Sequence, residues 1–203
     1  MVLAAIALLT AQAAGVAGVY ETRQIEVAAA LELKPDGHFR YALSYGAVDE
    51  EAEGDWTFDG KAVRLTSNPM PKAPSFELVR DDPAPKGELS MTLEDPGFAW
   101  GHGLEALARA ESNRLFEISA DDSGHVDLTG RPPVQAIAPE MPVYGPTGQL
   151  FPLSTDRGHR LLFRFHANDL GKARFDPQEV RLNGTDLVMD RYDTSFRFVK
   201  VRP

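Results

Sequence analysis

Residues 31–65 read LELKPDGHFRYALSYGAVDEEAEGDWTFDGKAVRL. Leu31 and Leu33 alternate with polar neighbours, Pro35-Asp36-Gly37-His38 turns the chain, and Phe39, Tyr41, Leu43 and Tyr45 alternate on the return. An acidic stretch over 46–54 reads as a loose loop, after which Trp56 and Phe58 lead into Asp59-Gly60 and on to Val63 and Leu65. Apolar residues at every second position, bounded by Asp-Gly turns whose glycine accepts a positive φ, specify antiparallel hairpins. The stretch is therefore a β-meander.

The same period continues on both sides. Gly18-Val19-Tyr20 opens a strand, and Ile25, Val27, Ala29, Leu31 and Leu33 keep one face apolar, although Ala28-Ala29-Ala30 also suits a short helix. Five prolines (Pro69, Pro71, Pro74, Pro83, Pro85) surround the short apolar run 76–79, so residues 69–87 read as a linker or a wrapped edge strand. Beyond it come short strands with turn residues about every ten positions, the spacing of a sandwich. Leu89, Met91 and Leu93 form one, residues 115–120 a second, Val126 and Leu128 a third. Residues 104–110 suit one or two helical turns, and 132–148 a Pro/Gly-rich loop with a strand at 134–137. Leu161, Phe163 and Phe165, then Val180 and Leu182, the tight turn Asn183-Gly184, Leu187, Met189 and the run 196–201 complete the pattern.

The chain of 203 residues is 43% hydrophobic and carries a net charge of -9. That charge argues against nucleic acid and anionic membrane surfaces, which require a positive field. From Arg157 onward ten Lys/Arg face six Asp/Glu, which implies attraction between a basic end and an acidic beginning. With no cysteine there are no disulfides, thiolate nucleophiles or thiolate metal sites. Val2 to Leu9 is an uninterrupted small-apolar run followed by Ala11-Gln12-Ala13, a small-x-small pattern, so residues 1–14 read as a signal peptide despite lacking a basic residue before the run. A periplasmic or secreted bacterial location follows as an expectation, with no transmembrane segment after signal removal.

Two resemblances rest on these turns. Gly18-x-Tyr20, Asp36-Gly37-x-Phe39, Gly54-x-Trp56 and Asp59-Gly60 with Val63-x-Leu65 resemble small lipocalin-like (calycin-type) barrels of exported bacterial proteins. Asp95-Pro96-Gly97 through Asp121-x-x-Gly124-x-Val126-x-Leu128 resembles the transthyretin-like, carboxypeptidase-regulatory β-sandwich. Each covers under half the chain. They imply an all-β protein: a small antiparallel barrel-like meander over 15–68, a Pro-rich linker over 69–87, and a transthyretin- or immunoglobulin-like β-sandwich over 88–203. In the alternative topology residues 178–203 return to complete the N-terminal barrel, with the sandwich as an insertion.

Catalytic signatures are missing from the sequence, which holds no His-Glu-x-x-His, Gly-x-Ser-x-Gly, P-loop or dinucleotide fingerprint. Asn183-Gly184-Thr185 matches a glycosylation sequon but reads more simply as a turn. Asp49, Glu50, Glu51, Glu53 and Asp55 are the densest acidic cluster, five carboxylates on one loop for a hard cation such as Ca²⁺, though without the order of a calcium loop. His38, His102, His125, His159 and His166 show no ligand spacing. Asp190 and Asp193, flanking Arg191-Tyr192, read as turn and salt-bridge residues. Tyr41, Tyr45, Trp56 and Phe58 either fill the barrel or line an apolar pocket in which hydroxyls and an indole N–H orient a ligand. The expectation is a non-enzymatic protein without a cofactor, binding a small apolar ligand or an envelope protein. The competing readings are cation binding on the acidic loop and an envelope hydrolase around His166, Asn168, Asp169 and Asp176.

Overall fold

Strands dominate the computed structural model, which describes residues 15–95, 97, 103–141 and 145–201. The proposed signal peptide, His102 and the centre of the Asp95-Pro96-Gly97 turn lie outside the described residues. The chain first forms β1 (Gly18–Thr22), β2 (Val27–Leu33), β3 (His38–Tyr45), β4 (Val48–Phe58) and β5 (Ala62–Ser67). Next come β6 (Ser75–Ala84), β7 (Leu89–Leu93), β8 (Glu105–Ala110), β9 (Leu115–Ser119), β10 (Val134–Met141), β11 (Gly145–Pro146), β12 (Phe151–Pro152) and β13 (Gly158–His166). It ends with β14 (Gln178–Asn183), β15 (Asp186–Arg191) and β16 (Thr194–Lys200). Two compact units result, residues 1–72 with 171–203, and residues 73–170.

In the first unit eight strands close into a barrel, in the order β1-β16-β15-β14-β5-β4-β3-β2, every neighbouring pair antiparallel. The C-terminal strands thus complete the N-terminal meander, which leaves no free sheet edge. Period-two alternation sends Phe39, Tyr41 and Leu43, then Ala52 and Trp56, then Val63 and Leu65 inward, where Val180, Leu187, Met189, Phe196 and Phe198 meet them. The turns carry the expected chemistry: the Asp59 carboxylate accepts from the N–H groups of Ala62 and Lys61, both at 2.9 Å, and these bonds hold it below the usual carboxylate range.

The second unit contains a three-stranded sheet, β6-β13-β7, and a five-stranded sheet, β11-β10-β8-β9 with β12 on β10. Their apolar faces share one core, with Phe76, Met91, Leu161 and Phe163 from the first sheet and Ala106, Phe116, Ile118 and Ile137 from the second. One pair, β13 with β7, is parallel.

Two local expectations change and a third is narrowed. The acidic stretch is strand: β4 runs eleven residues from Val48, because Asp49, Glu51, Glu53 and Asp55 fall on alternate positions and leave Val48, Ala52 and Trp56, with Glu50, on the inward face. Of the two readings of the proline-rich stretch the edge strand is the one found, in the second unit's sheet: it contains the ten-residue β6, which tolerates Pro83 because an edge needs hydrogen bonds on one side only. Residues 105–110 form β8 rather than helix, since Ala106, Ala108 and Ala110 are all buried by tertiary packing that overrides alanine's helix propensity. The charge division also moves. The barrel unit has 13 Lys/Arg against 15 Asp/Glu and the second unit 8 against 15, so the net charges are -2 and -7 and the basic count after Arg157 is shared between them.

Gly54 lets β4 and β5 approach. A Cβ there would sit 2.1 Å from the Thr66 carbonyl oxygen and 2.6 Å from the Asn68 nitrogen, both backbone atoms. Gly54→Ala is expected to destabilise the barrel by about 3 kcal/mol, read as a lower denaturation midpoint in urea. A midpoint within error of the parent would show that the two strands separate freely.

Candidate functional site

Inside the barrel the aromatic side chains rest on one another. Phe175, delivered by the segment that follows Gly171, lies with its ring centroid 5.1 Å from Tyr41 and 5.9 Å from Phe39. Tyr41 also meets Phe198 at 6.5 Å, and Tyr45 meets Phe196 edge-on at 5.6 Å. The returning segment is held as if it were a strand: Glu51 N–H donates to Gly171 O, Ala173 N–H to Glu51 O and Ser67 N–H to Phe175 O, while Ser67 Oγ accepts from Phe175 N–H at 3.0 Å. It covers the half of β4 that β5 does not reach, since β5 pairs only with residues 54–58.

Of the four aromatic residues singled out from the sequence, Tyr41 and Trp56 are buried in this core and Tyr45 and Phe58 pack against it. They do not converge on one pocket. Tyr45 sits at the β3–β4 turn and Phe58 at the β4–β5 turn, which lie at opposite ends of β4. The Trp56 indole N–H is already committed, donating to Lys34 O at 2.9 Å.

A polar cluster closes the Tyr45 end. Glu50 faces inward with its side chain 6% exposed and is gripped by Arg191 through Nε to Oε2 at 3.0 Å and Nη2 to Oε1 at 2.7 Å. Tyr192 donates its hydroxyl to Glu50 Oε1. The Arg191 guanidinium lies 5.4 Å from the centroid of Phe175 and 4.8 Å from that of Tyr192. Burial opposes the Arg191 charge, but Glu50 more than compensates and its proton is held more tightly than usual. Burial, then the hydrogen bond to Glu50, pushes the Tyr192 hydroxyl up. Tyr192 and Asp193 form the two-residue turn between Arg191 and Thr194 with φ of 52° and 54°, a conformation that such turns normally assign to Asn-Gly. The Tyr41 hydroxyl, raised by burial and by the Glu50 carboxylate, is buried without a hydrogen-bond partner among the described residues.

The acidic cluster does not gather into a cation site. Strand alternation points Glu50 into the barrel while Asp49, Glu51 and Glu53 are exposed and Asp55 half-exposed. Asp55 pairs with His38 at 3.0 Å and Glu51 with Lys172. Among the described residues no three His, Asp or Glu side chains converge as metal ligands. Asp190 is a salt-bridge residue, its carboxyl drawn down to about 2 by Arg181 and then Ser195. His166 lies exposed at the end of β13, 2.9 Å from Glu77, and Asn168 donates to Ala73 O at 2.8 Å.

The second unit holds a different arrangement. A cleft of about 350 Å³ has apolar walls from Leu89, Leu128, Pro132, Pro133, Val134 and Leu153, and a rim that includes Lys86, Ser154, Thr155, Arg157 and His159. His159, 4% exposed, organises it, with Nδ1 2.8 Å from Asp81 Oδ1 on β6 and Nε2 2.8 Å from Ser154 O. Arg157 donates to both Asp81 oxygens, at 3.1 and 2.7 Å. Burial alone would raise the Asp81 carboxyl, but the hydrogen bonds from His159 and Arg157 outweigh it, so Asp81 is held ionised below the usual carboxylate range. Gly158 is required beside this cluster: a Cβ would lie 2.1 Å from Pro85 O and 2.6 Å from Glu88 O, the turn that carries Lys86. A second depression of about 560 Å³ is lined by Glu105, Glu117, Asp127, Glu140 and Arg131, and burial with the neighbouring Glu117 and Glu105 pushes the Glu140 carboxyl up.

This chain is an all-β protein built on a closed eight-stranded antiparallel barrel. No family model, no curated protein and no solved structure matches it.

Sequence reading alone missed both polar clusters. The period-two pattern through Val48, Glu50, Ala52 and Trp56 does place Glu50 inward once β4 is read as strand, whereas Asp81 and His159 pair across a separation that no spacing reveals.

Proposed function

We propose that the protein is a non-catalytic binding protein in which the barrel serves as scaffold and the cleft beside His159 receives a small molecule with a substantial apolar part. The observation that carries this reading is the cleft itself, whose concave apolar walls and convergent polar rim match the composition of small-molecule sites. The barrel interior, occupied by Tyr41, Phe175 and Phe198 in mutual contact, supports a structural role for the aromatics. Both nitrogens of His159 are engaged by acceptors, which favours a positioning role over proton transfer.

The test uses the neutral fluorophore N-phenyl-1-naphthylamine and the Thr155→Trp variant, which fills the cleft from an exposed rim position and leaves the core untouched. Saturable binding at one site in the parent, weakened at least tenfold in the variant, is expected. Equal binding by both proteins, or none by the parent, overturns the reading.

A further inference from the structure

The charge around the cleft narrows its ligand. Two hydrogen bonds bind the His159 ring, one to the ionised Asp81 carboxylate and one to the Ser154 carbonyl. The Arg157 guanidinium and the His159 ring both engage Asp81, so that carboxylate is compensated within the cluster and leaves no free negative charge behind the cleft wall. Lys86 places a cation on the exposed turn at the rim, and among the described residues no carboxylate lies within ion-pair distance of it. Glu88 and Glu111 also line the cleft, but Glu88 faces Arg160 at 4.0 Å. In a unit of net charge -7, the lining cations Lys86, Arg131 and Arg157 outnumber these two acids.

Resting on the binding reading above, we propose that the cleft takes an amphipathic anion, with its apolar body against Leu89, Leu128, Val134 and Leu153 and its carboxylate or similar head at Lys86. The Lys86 turn is positioned for this role. Glu88 N–H donates to Pro85 O at 3.0 Å and His159 N–H donates to Glu88 O at 3.0 Å, so the turn is tied to the strand that bears the histidine. Leu153 is fixed in the opposite wall by its N–H bond to Gln135 O at 2.7 Å. A cation at the rim of an apolar cleft rewards one charge sign, and it selects more by rejecting cations than by tightening anions.

The experiment compares 1-anilinonaphthalene-8-sulfonate, an apolar anion, with neutral N-phenyl-1-naphthylamine on the full chain, its Thr155→Trp variant and the exposed-site variants Lys86→Met and Lys86→Arg. The sulfonate is expected to bind at one site, lost in Thr155→Trp. Lys86→Met should weaken it by about tenfold while leaving the neutral probe within twofold, and Lys86→Arg should restore it. If Lys86→Met weakens both probes equally or neither, the anion preference is wrong while the binding reading stands. If neither probe responds to Thr155→Trp, both fall.

Discussion

Glu50→Ala is expected to lower the barrel's thermal midpoint by about 10 °C or more, a loss of about 3–5 kcal/mol for a buried ion pair deprived of one partner. The variant leaves the Arg191 guanidinium, 20% exposed, beside Phe175 with no carboxylate to accept from Nε and Nη2. It also removes the acceptor of the Tyr192 hydroxyl, so the positive-φ turn at 192–193 loses the bond that holds its side chain inward. Arg191→Met made alone should cost a similar amount, and the combined Glu50→Ala/Arg191→Met change much less than the two together, because neither charge is then left buried without its partner. Calorimetry of the four proteins checks this; strictly additive losses would show that the pair is not coupled. The tyrosines give a second reading. The folded-state pKa of Tyr192 is raised by burial and by Glu50, and that of Tyr41 by burial and the same carboxylate. The unfolded chain therefore releases these protons first, so their contribution to stability is complete below the ordinary tyrosine value of about 10 and is lost as pH rises beyond it. In Glu50→Ala, alkaline absorbance titration should show Tyr192 ionising at lower pH than in the parent.

The other large effect belongs to Phe175. It is 1% exposed and touches Phe39, Tyr41 and the Arg191 guanidinium, so truncation to alanine removes a ring from a core that has little means of collapsing. A loss of about 3–5 kcal/mol is expected for Phe175→Ala. The space left behind is walled by aromatic rings, and apolar cavities of that kind stay dry and accept small apolar molecules. Benzene should therefore raise the variant's melting temperature and leave that of the parent unchanged. A variant that melts with the parent would mean that Phe175 is peripheral to the barrel interior.

Much of the barrel was legible because its determinants are local. Asp36-Gly37 and Asp59-Gly60 mark the turns, and the alternation through Phe39, Tyr41 and Leu43 fixes the inward face. The composition of 46–54 concealed a strand, because a run of acids suggests solvent whereas strand periodicity asks only what lies at every second position. The 192–193 turn is hidden for the opposite reason: Tyr-Asp is a poor sequence for positive φ, and a tertiary bond to Glu50 holds it. The four aromatics looked like one site because they are close in the meander, yet the hairpin geometry separates Tyr45 from Phe58. The cleft could not be read at all. Its lining comes from four separate stretches, and the histidine among them looked like any other turn residue.

The seams of the barrel bear on how the chain matures. Strand β5 pairs with β14, Val63 against Val180, and β1 with β16, Tyr20 against Lys200, so closure waits until β14 to β16 have been synthesised. Until then β1 through β5 form an open meander with two unpaired edges, while residues 73–170 emerge complete and free to fold first. Such long-range pairing predicts slow closure and a nascent chain that depends on protection of those edges. Truncation after Asn183 would remove two staves and leave a protein whose second unit folds while its first remains an adhesive sheet.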